Sequence, residues 1–354
     1  MNSIKKFEIF SGTGGVGKTT MATSRAIQLA SEGRKVLLIT IDPAKRLKDL
    51  LGLKDEESGD VITINNPLNQ GENVNLDALL MNPAKTLKKI SEKTGSSTVL
   101  NNRILTILSK PYGGLNEIFS IVELQLNLDK NIYETIVLDT PPGSHFLDFL
   151  ESTKKIQTFF DQSFIDIFNY IGGGKSQTMN TGKKLFTMVV SGGVKKLLGY
   201  LQKVTGGKFI EDFMKAIGAI YETKDVFLSA LRLQEDLKDP ELSNWFLVTS
   251  VDQNKIKEAL NLSTSAKDFL NDKTYVVLNK CLQDRLDNWK VDDLNGLEFE
   301  LKNGFLKREQ NLKSDLKEHF KQMIEFPEII KISAADQVVE LIKLWNIKSK
   351  EINI

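Results

Sequence analysis

The chain has 354 residues, of which 47 are basic and 46 acidic, and its formal net charge is +1. This near-neutral balance gives no electrostatic reason to expect a nucleic acid or an anionic membrane as a partner. With one cysteine, Cys281, and two histidines, the chain cannot form an internal disulfide or a zinc site of paired cysteines. No apolar run approaches the roughly 18 residues of a membrane span, and the first residues lack the apolar core of a secretory signal. We therefore expect a cytoplasmic protein without structural zinc.

The predicted elements begin with a short strand at residues 6–10, which leads into a glycine-rich loop and then into a helix that ends near Gly33. The continuous apolar run at 35–41 is typical of a strand buried in a parallel sheet. The same pattern predicts further strands at 133–140, 244–250 and 274–280. Strands that alternate with helices predict an α/β fold, with a doubly wound, mostly parallel sheet flanked by helices.

Other regions are predicted to be helical. Residues 83–130 have a break at 111–114. Residues 146–235 offer only one weak strand candidate, at 186–190, and contain ten of the 19 phenylalanines. We interpret 146–235 as a helical insertion within a single domain that spans residues 1–354. The densely charged segment 296–325 predicts a solvated amphipathic helix.

Residues 11–20, SGTGGVGKTT, satisfy the phosphate-loop pattern G-x-x-x-x-G-K-[ST]. In such a loop, glycines let the main chain curl around phosphate oxygens, and backbone N–H groups at a helix N-terminus bind the anion. Lys18 would place its charge on the β- and γ-phosphates, and Thr19 would offer its hydroxyl to Mg²⁺. The predicted nucleotide-binding residues here are Gly14, Gly15, Val16, Gly17, Lys18, Thr19 and Thr20.

Two aspartates follow predicted strands. Asp139 falls at the end of 133–140, at the carboxyl edge of the sheet, where a carboxylate can hold a water of the Mg²⁺ shell. Asp42 follows 35–41 and could orient a water for attack on the γ-phosphate, and with Thr19 and Asp139 it is also a candidate for the Mg²⁺ site, through a bound water. Either aspartate could instead cap a helix. The residues alone favour a functional role for Asp139 and leave both interpretations open for Asp42.

Four segments, GTGGVGKTT, IDPAKRL, LDTPPGSHFLDFL and VVLNK, resemble in this order the nucleotide-site motifs of the ArsA family of anion-transporting-type ATPases. That family includes arsenite-pump ATPases and eukaryotic targeting factors for tail-anchored proteins. The resemblance implies ATP and Mg²⁺ as cofactors, with Asp42 positioning the attacking water, Asp139 as the Walker B residue and Asn279 contacting adenine. It assigns a nucleotide-sensing segment, switch II, to Thr140, Pro141, Pro142, Gly143 and His145.

The sequence departs from the family at Thr13, where members commonly carry a lysine. In dimeric members that lysine reaches the partner subunit's nucleotide and neutralises charge there, which a threonine cannot do. If two subunits assemble, as a homodimer or with a related ATPase subunit, either another cation must supply this charge or hydrolysis will be slow. Lys45 and Arg46 are candidates by proximity. The single Cys281 can supply neither the zinc site that joins subunits of the targeting factors nor the several thiolates of an As(III) site. We therefore do not expect arsenite binding.

The leading hypothesis is a Mg²⁺-dependent ATPase whose nucleotide state moves the helical insertion, through which it engages a partner or client. A second is a nucleotide-gated carrier of hydrophobic, tail-anchored-like segments that bind an apolar groove of the insertion. The third is a partition or division-site ATPase. Because apolar helix faces are more often core packing, exposed phenylalanines in the insertion would favour the carrier.

Overall fold

The structure, a computed structural model, describes residues 5–41, 45–51, 57–64, 74–97, 116–159, 218–270, 274–290 and 296–352, together with 100, 102, 105–106, 109, 215–216 and 354. The strands in this part of the chain are β1 (Phe7–Gly12), β2 (Val36–Thr40), β3 (Val61–Ile64), β4 (Leu76–Leu80), β5 (Thr135–Asp139), β6 (Ser243–Ser250), β7 (Tyr275–Cys281) and β8 (Gln322–Pro327). The helices are α1 (Lys18–Ser31), α2 (Lys45–Leu51), α3 (Pro83–Thr94), α4 (Asn116–Leu128), α5 (Ser144–Phe159), α6 (Lys224–Ser229), α7 (Leu233–Lys238), α8 (Gln253–Ser265), α9 (Gln283–Asn288), α10 (Leu297–His319) and α11 (Ala334–Ile352).

The described strands form one sheet in the order β3-β4-β2-β5-β1-β6-β7-β8. β3 and β4 pair antiparallel at one edge, and every other adjacent pair is parallel. The central strand β1 lies between β5 and β6, and chain order reverses at β1, which is where α/β sheets open a crevice for ligands. This topology confirms the predicted α/β fold. All five predicted strands are present, and β3, β4 and β8 are additional.

One face of the sheet is covered by α1 and α11, which bury an aromatic cluster. Phe10 of β1 stacks on Phe246 of β6 with ring centroids 4.7 Å apart. Trp345 of α11 packs edge-on against Phe246, with ring centroids 5.7 Å apart, and in a tilted arrangement against Phe326 of β8 at 4.7 Å. All four rings are fully buried. Because each such side chain contributes about 1.5–3 kcal/mol on burial, this cluster fixes α11 on the sheet. The Trp345 indole N–H in turn donates to the Ser24 hydroxyl of α1 at 3.0 Å, which links α1, and hence the loop before it, to the cluster.

The charged segment 296–325 differs from the prediction of one solvated helix. Helix α10 ends at His319, and strand β8 follows from Gln322. Within α10, Glu309 and Lys313 are buried and form an ion pair of 2.7 Å, while Lys313 also contacts Glu325 of β8 at 2.7 Å. Buried charges persist when they are paired in this way, and the partner in β8 could not be read from helical spacing.

The chain divides into two compact units, one of residues 1–82, 126–150 and 234–354, which holds the sheet, and a second of 83–125 and 151–233. In the second unit, Glu123 accepts hydrogen bonds from Thr86 at 2.8 Å and Lys89 at 2.6 Å. The rings of Phe119 and Phe227 lie 6.5 Å apart.

The predicted insertion, 146–235, overlaps much of the second unit, and the single-domain organisation stays a prediction. The candidate strand 186–190 and the break at 111–114 lie outside the described residues. None of the described helices is long and apolar enough to span a bilayer.

Candidate nucleotide-binding site

The phosphate loop, residues 12–19, connects β1 to α1 at the carboxyl edge of the sheet. Helix α1 begins at Lys18 with no side-chain cap on its first N–H groups, and its first turn carries no acidic residue. Gly17 has φ 94°, a left-handed conformation that glycine adopts without strain. The N–H groups at a helix N-terminus and the helix dipole favour binding of an anion such as phosphate.

Asn279, near the end of β7, lies directly against this loop. Its Nδ2 donates to the Val16 carbonyl at 2.9 Å, and its Oδ1 accepts from the Lys280 N–H at 2.9 Å. A Cβ at position 17 would come within 2.5 Å of Nδ2, so glycine is required for this close approach. The structure thus brings Asn279 to the loop across 263 residues of sequence, while its contact with adenine stays a prediction.

Lys280 is a residue of this site that the sequence reasoning missed. Its Nζ donates to the Gly15 carbonyl at 3.4 Å, and its φ of 62° is a left-handed conformation, which costs a non-glycine residue free energy. The only signal in the sequence was its place directly after Asn279. Like most lysines that follow a strand, Lys280 is exposed to solvent, and its contact with Gly15 is what places it in the site.

Asp139 ends β5 one strand away from the loop, in register with Phe10 of β1 and Thr40 of β2. It is fully buried, and its Oδ2 accepts a hydrogen bond from the Thr40 hydroxyl at 3.4 Å. The next residue, Thr140, donates its N–H at 3.2 Å and its hydroxyl at 2.9 Å to the Phe10 carbonyl. The start of the predicted switch II is therefore tied to the strand that carries the phosphate loop.

The remaining switch II residues follow at the same edge. The Gly143 N–H donates to the Gly12 carbonyl at 3.4 Å. Pro141 is buried, Pro142 is half-buried, and His145 in the first turn of α5 is exposed. Asp42 lies outside the described residues, as do the side chains of Lys45 and Arg46, whose backbone forms the start of α2.

Three side chains of α1 fit a magnesium nucleotide at the loop. Lys18 is only 8% exposed, so its charge would act on a phosphate with little screening by water. The Thr20 hydroxyl is buried and has no hydrogen-bond partner among the described residues, as expected where a ligand oxygen completes the site. Thr19 is half-buried at the end of the loop, and its hydroxyl together with Asp139 would hold Mg²⁺ or its waters.

Thr13, at the position of the family's lysine, is 6% exposed, and its hydroxyl has no hydrogen-bond partner among the described residues. A buried hydroxyl without a partner costs stability. We expect Thr13→Val to leave the free energy of unfolding of the nucleotide-free protein unchanged or to raise it by about 1 kcal/mol, measured by urea denaturation.

The matched control for Thr13→Val is Thr140→Val, because the Thr140 hydroxyl is also buried but is hydrogen-bonded to Phe10. This control should lose about 1 kcal/mol, since it removes a buried hydrogen bond, although the Phe10 carbonyl keeps the bond from the Thr140 N–H. A loss at Thr13 as large as that at Thr140 would mean that the Thr13 hydroxyl is satisfied in solution.

Cys281 ends β7 and is buried. Burial raises the pKa of its thiol to about 12, so almost no reactive thiolate is present near neutral pH. Its role is that of a small apolar side chain in the packing of the sheet.

A phosphate loop between the central strand and the first helix of a mostly parallel sheet, beside a strand that ends in a buried carboxylate, defines the fold of the P-loop nucleoside triphosphatases. Comparison with protein families agrees, because the model described as "Anion-transporting ATPase" matches residues 5–333. The chain therefore belongs to the ArsA ATPase family.

Individual relatives are similar over a part of the chain. ATPase GET3 of Candida glabrata is 29% identical over 199 residues, which cover 51% of this chain and 54% of the relative. ATPase get3 of Botryotinia fuckeliana is 35% identical over 144 residues, 40% of each chain. The ATPase ASNA1 homolog of Babesia bovis is 29% identical over 162 residues, 46% of this chain and 42% of the relative. The chain thus matches about half the length of these relatives.

Proposed function

We propose that the protein binds ATP with Mg²⁺ and hydrolyses it to ADP and phosphate. The observation that carries the proposal is the uncapped, positively polarised start of α1, with buried Lys18 beside it and Asp139 on the neighbouring strand. The metal, when bound, neutralises charge on the transferred phosphate. Lys18 and the loop N–H groups hold the phosphate chain, Thr19 and Asp139 hold the metal or its waters, and Asp42 positions the attacking water.

Nucleotide state would reach the second unit through switch II. Thr140 and Gly143 are hydrogen-bonded to β1, so a shift of the phosphate loop moves these residues directly. Helix α5 begins at Ser144, immediately after them, and its residues from Glu151 onward belong to the second unit. We propose that this connection couples hydrolysis to a partner or client, with a homodimer as the assembly.

The dependence on Mg²⁺ provides the test of this function. Wild-type protein should release phosphate from ATP in Mg²⁺ and stop when EDTA is added. We expect Thr19→Val to raise the Mg²⁺ concentration for half-maximal hydrolysis by about tenfold. This is the loss of affinity expected when roughly one charge-assisted contact is removed. The matched control is Thr264→Val on α8, an exposed threonine whose hydroxyl only contacts its own helix. Wild-type hydrolysis that persists in EDTA would contradict the proposal.

The carrier hypothesis depends on exposed apolar side chains in the insertion. The phenylalanines of 146–235 whose side chains the structure describes, Phe146, Phe149 and Phe227, are all buried. They are packing residues, so the described part of the insertion offers no phenylalanine groove. The partition or division-site hypothesis is favoured by no observation in the described residues, and both alternatives rank below the ATPase switch.

A further inference from the structure

Two consecutive carbonyl groups of the phosphate loop are held from outside by the end of β7. Lys280 Nζ donates to the Gly15 carbonyl at 3.4 Å, and Asn279 Nδ2 donates to the Val16 carbonyl at 2.9 Å. The corner that presents these donors is itself fixed, because the Asn279 Oδ1 accepts from the Lys280 N–H at 2.9 Å and Lys280 adopts φ 62°. Such strained conformations persist where the surroundings enforce them, and they cluster at functional sites.

These contacts determine the direction of two N–H groups. A peptide group is planar and trans, so its N–H points opposite to its C=O. With the Gly15 carbonyl held outward, the Val16 N–H points inward. Because Asn279 holds the Val16 carbonyl outward in the same way, the Gly17 N–H also points inward. Val16 and Gly17 are among the loop residues that are predicted to bind the nucleotide.

The charge of Lys280 adds to this alignment. A cation on a carbonyl oxygen polarises the whole peptide group, which strengthens its N–H as a donor to an anion on the other side. We infer that Lys280 is a positioning residue for the nucleotide phosphates, whose ammonium group pre-aligns and polarises the Gly15–Val16 peptide, an inference that rests on the proposed nucleotide site. Lys280 acts on the side of the loop away from the phosphate. Lys280 therefore does not replace the lysine that family members commonly carry at the position of Thr13, which would act on the phosphate side of the loop.

The test is Lys280→Met, which keeps the aliphatic stem and removes the charge. Calorimetric titration with Mg·ADP and with the non-hydrolysable analogue Mg·AMP-PNP should show about tenfold weaker binding of both. The loss is equal because the aligned N–H groups hold the inner phosphates that both nucleotides carry. Lys280→Arg should bind both nucleotides within about threefold of wild type, since it restores a cationic donor.

Lys317→Met provides the matched control, an exposed lysine on α10 in the same unit, and should bind both nucleotides like wild type. The thermal midpoint of nucleotide-free Lys280→Met should equal that of wild type, which separates positioning from a loss of folding. Unchanged nucleotide affinity in Lys280→Met would overturn the inference. Weaker binding of AMP-PNP alone would also overturn it, because Lys280 would then be a direct ligand of the γ-phosphate. Wild-type protein that binds neither nucleotide would instead refute the proposed function.

Discussion

Lys18→Ala is expected to reduce Mg²⁺-dependent ATP hydrolysis by a factor of about 100 to 1,000. Lys18 is the first residue of α1, directly after Gly17, and is 8% exposed. At such a buried position its charge interacts with a phosphate far more strongly than a solvated lysine would. Phosphate release at saturating ATP provides the measurement.

The control for Lys18→Ala is Lys307→Ala, which removes an exposed lysine of α10 and should leave hydrolysis unchanged. Circular dichroism of both variants shows whether each remains folded. Because the loop N–H groups stay in place, we expect Lys18→Ala to retain weakened nucleotide binding while hydrolysis is lost. If folded Lys18→Ala hydrolysed ATP within threefold of wild type, the phosphate loop would not be the catalytic site.

The phosphate loop could be predicted from the residues alone because its chemistry is local, whereas Asn279 was named only through the family resemblance. The loop at 11–20, the strand before it and the helix after it are contiguous, so the pattern carries its own structural context. Lys280 was missed because its contact with Gly15 joins residues 265 positions apart. The position of a lysine directly after a strand does not show whether its ammonium group contacts a distant loop. Only the order of strands in the sheet, with β7 two positions from β1, places them together.

Strand β4 was missed for a related reason. Its sequence, LDALL, places Asp77 in the middle of a buried strand, which the apolar pattern argues against. The charge is tolerated because Thr63 at 2.8 Å and Tyr133 at 2.9 Å donate to it and Lys35 lies 3.0 Å away. Burial, and then the hydrogen bond to Asp77, raise the pKa of Tyr133, so the hydroxyl remains a donor. These partners come from three separate segments, so tertiary contacts, which the local sequence does not show, allow Asp77 to lie in a buried strand.

The largest effect on stability is expected for Arg25→Met, which breaks a buried ion pair between β1 and α1. The Arg25 guanidinium is 1% exposed and donates through Nε and Nη2 to the two carboxylate oxygens of Glu8, each at 2.6 Å. It also donates to Ser349 of α11 at 2.6 Å and lies 5.3 Å from the centroid of the Trp345 ring. Removing the cation leaves the Glu8 carboxylate, 2% exposed, buried without its charge partner.

We therefore expect Arg25→Met to lower the free energy of unfolding by about 3–5 kcal/mol, measured by guanidinium chloride denaturation without nucleotide. The matched control is Lys255→Met, which breaks the exposed Lys255–Glu258 pair on α8 and should cost less than about 1 kcal/mol. The double variant Glu8→Leu with Arg25→Met should lose less than Arg25→Met alone, because no unpaired charge remains buried. If the double variant lost as much free energy of unfolding as the single variants Glu8→Leu and Arg25→Met together, this account would be contradicted.

This ion pair also bears on the phosphate loop, because β1 and α1 are the two elements that the loop connects. The Arg25–Glu8 contact joins the strand before the loop to the helix after it, while Asn279 and Lys280 donate to carbonyls of the loop itself. If the ion pair and the contacts from β7 both set the loop geometry, the Glu8→Leu, Arg25→Met double variant should bind Mg·ADP more weakly than wild type. This should hold even under conditions where the double variant is fully folded. Wild-type affinity in the folded double variant would limit the ion pair to stability and leave alignment of the loop to the end of β7.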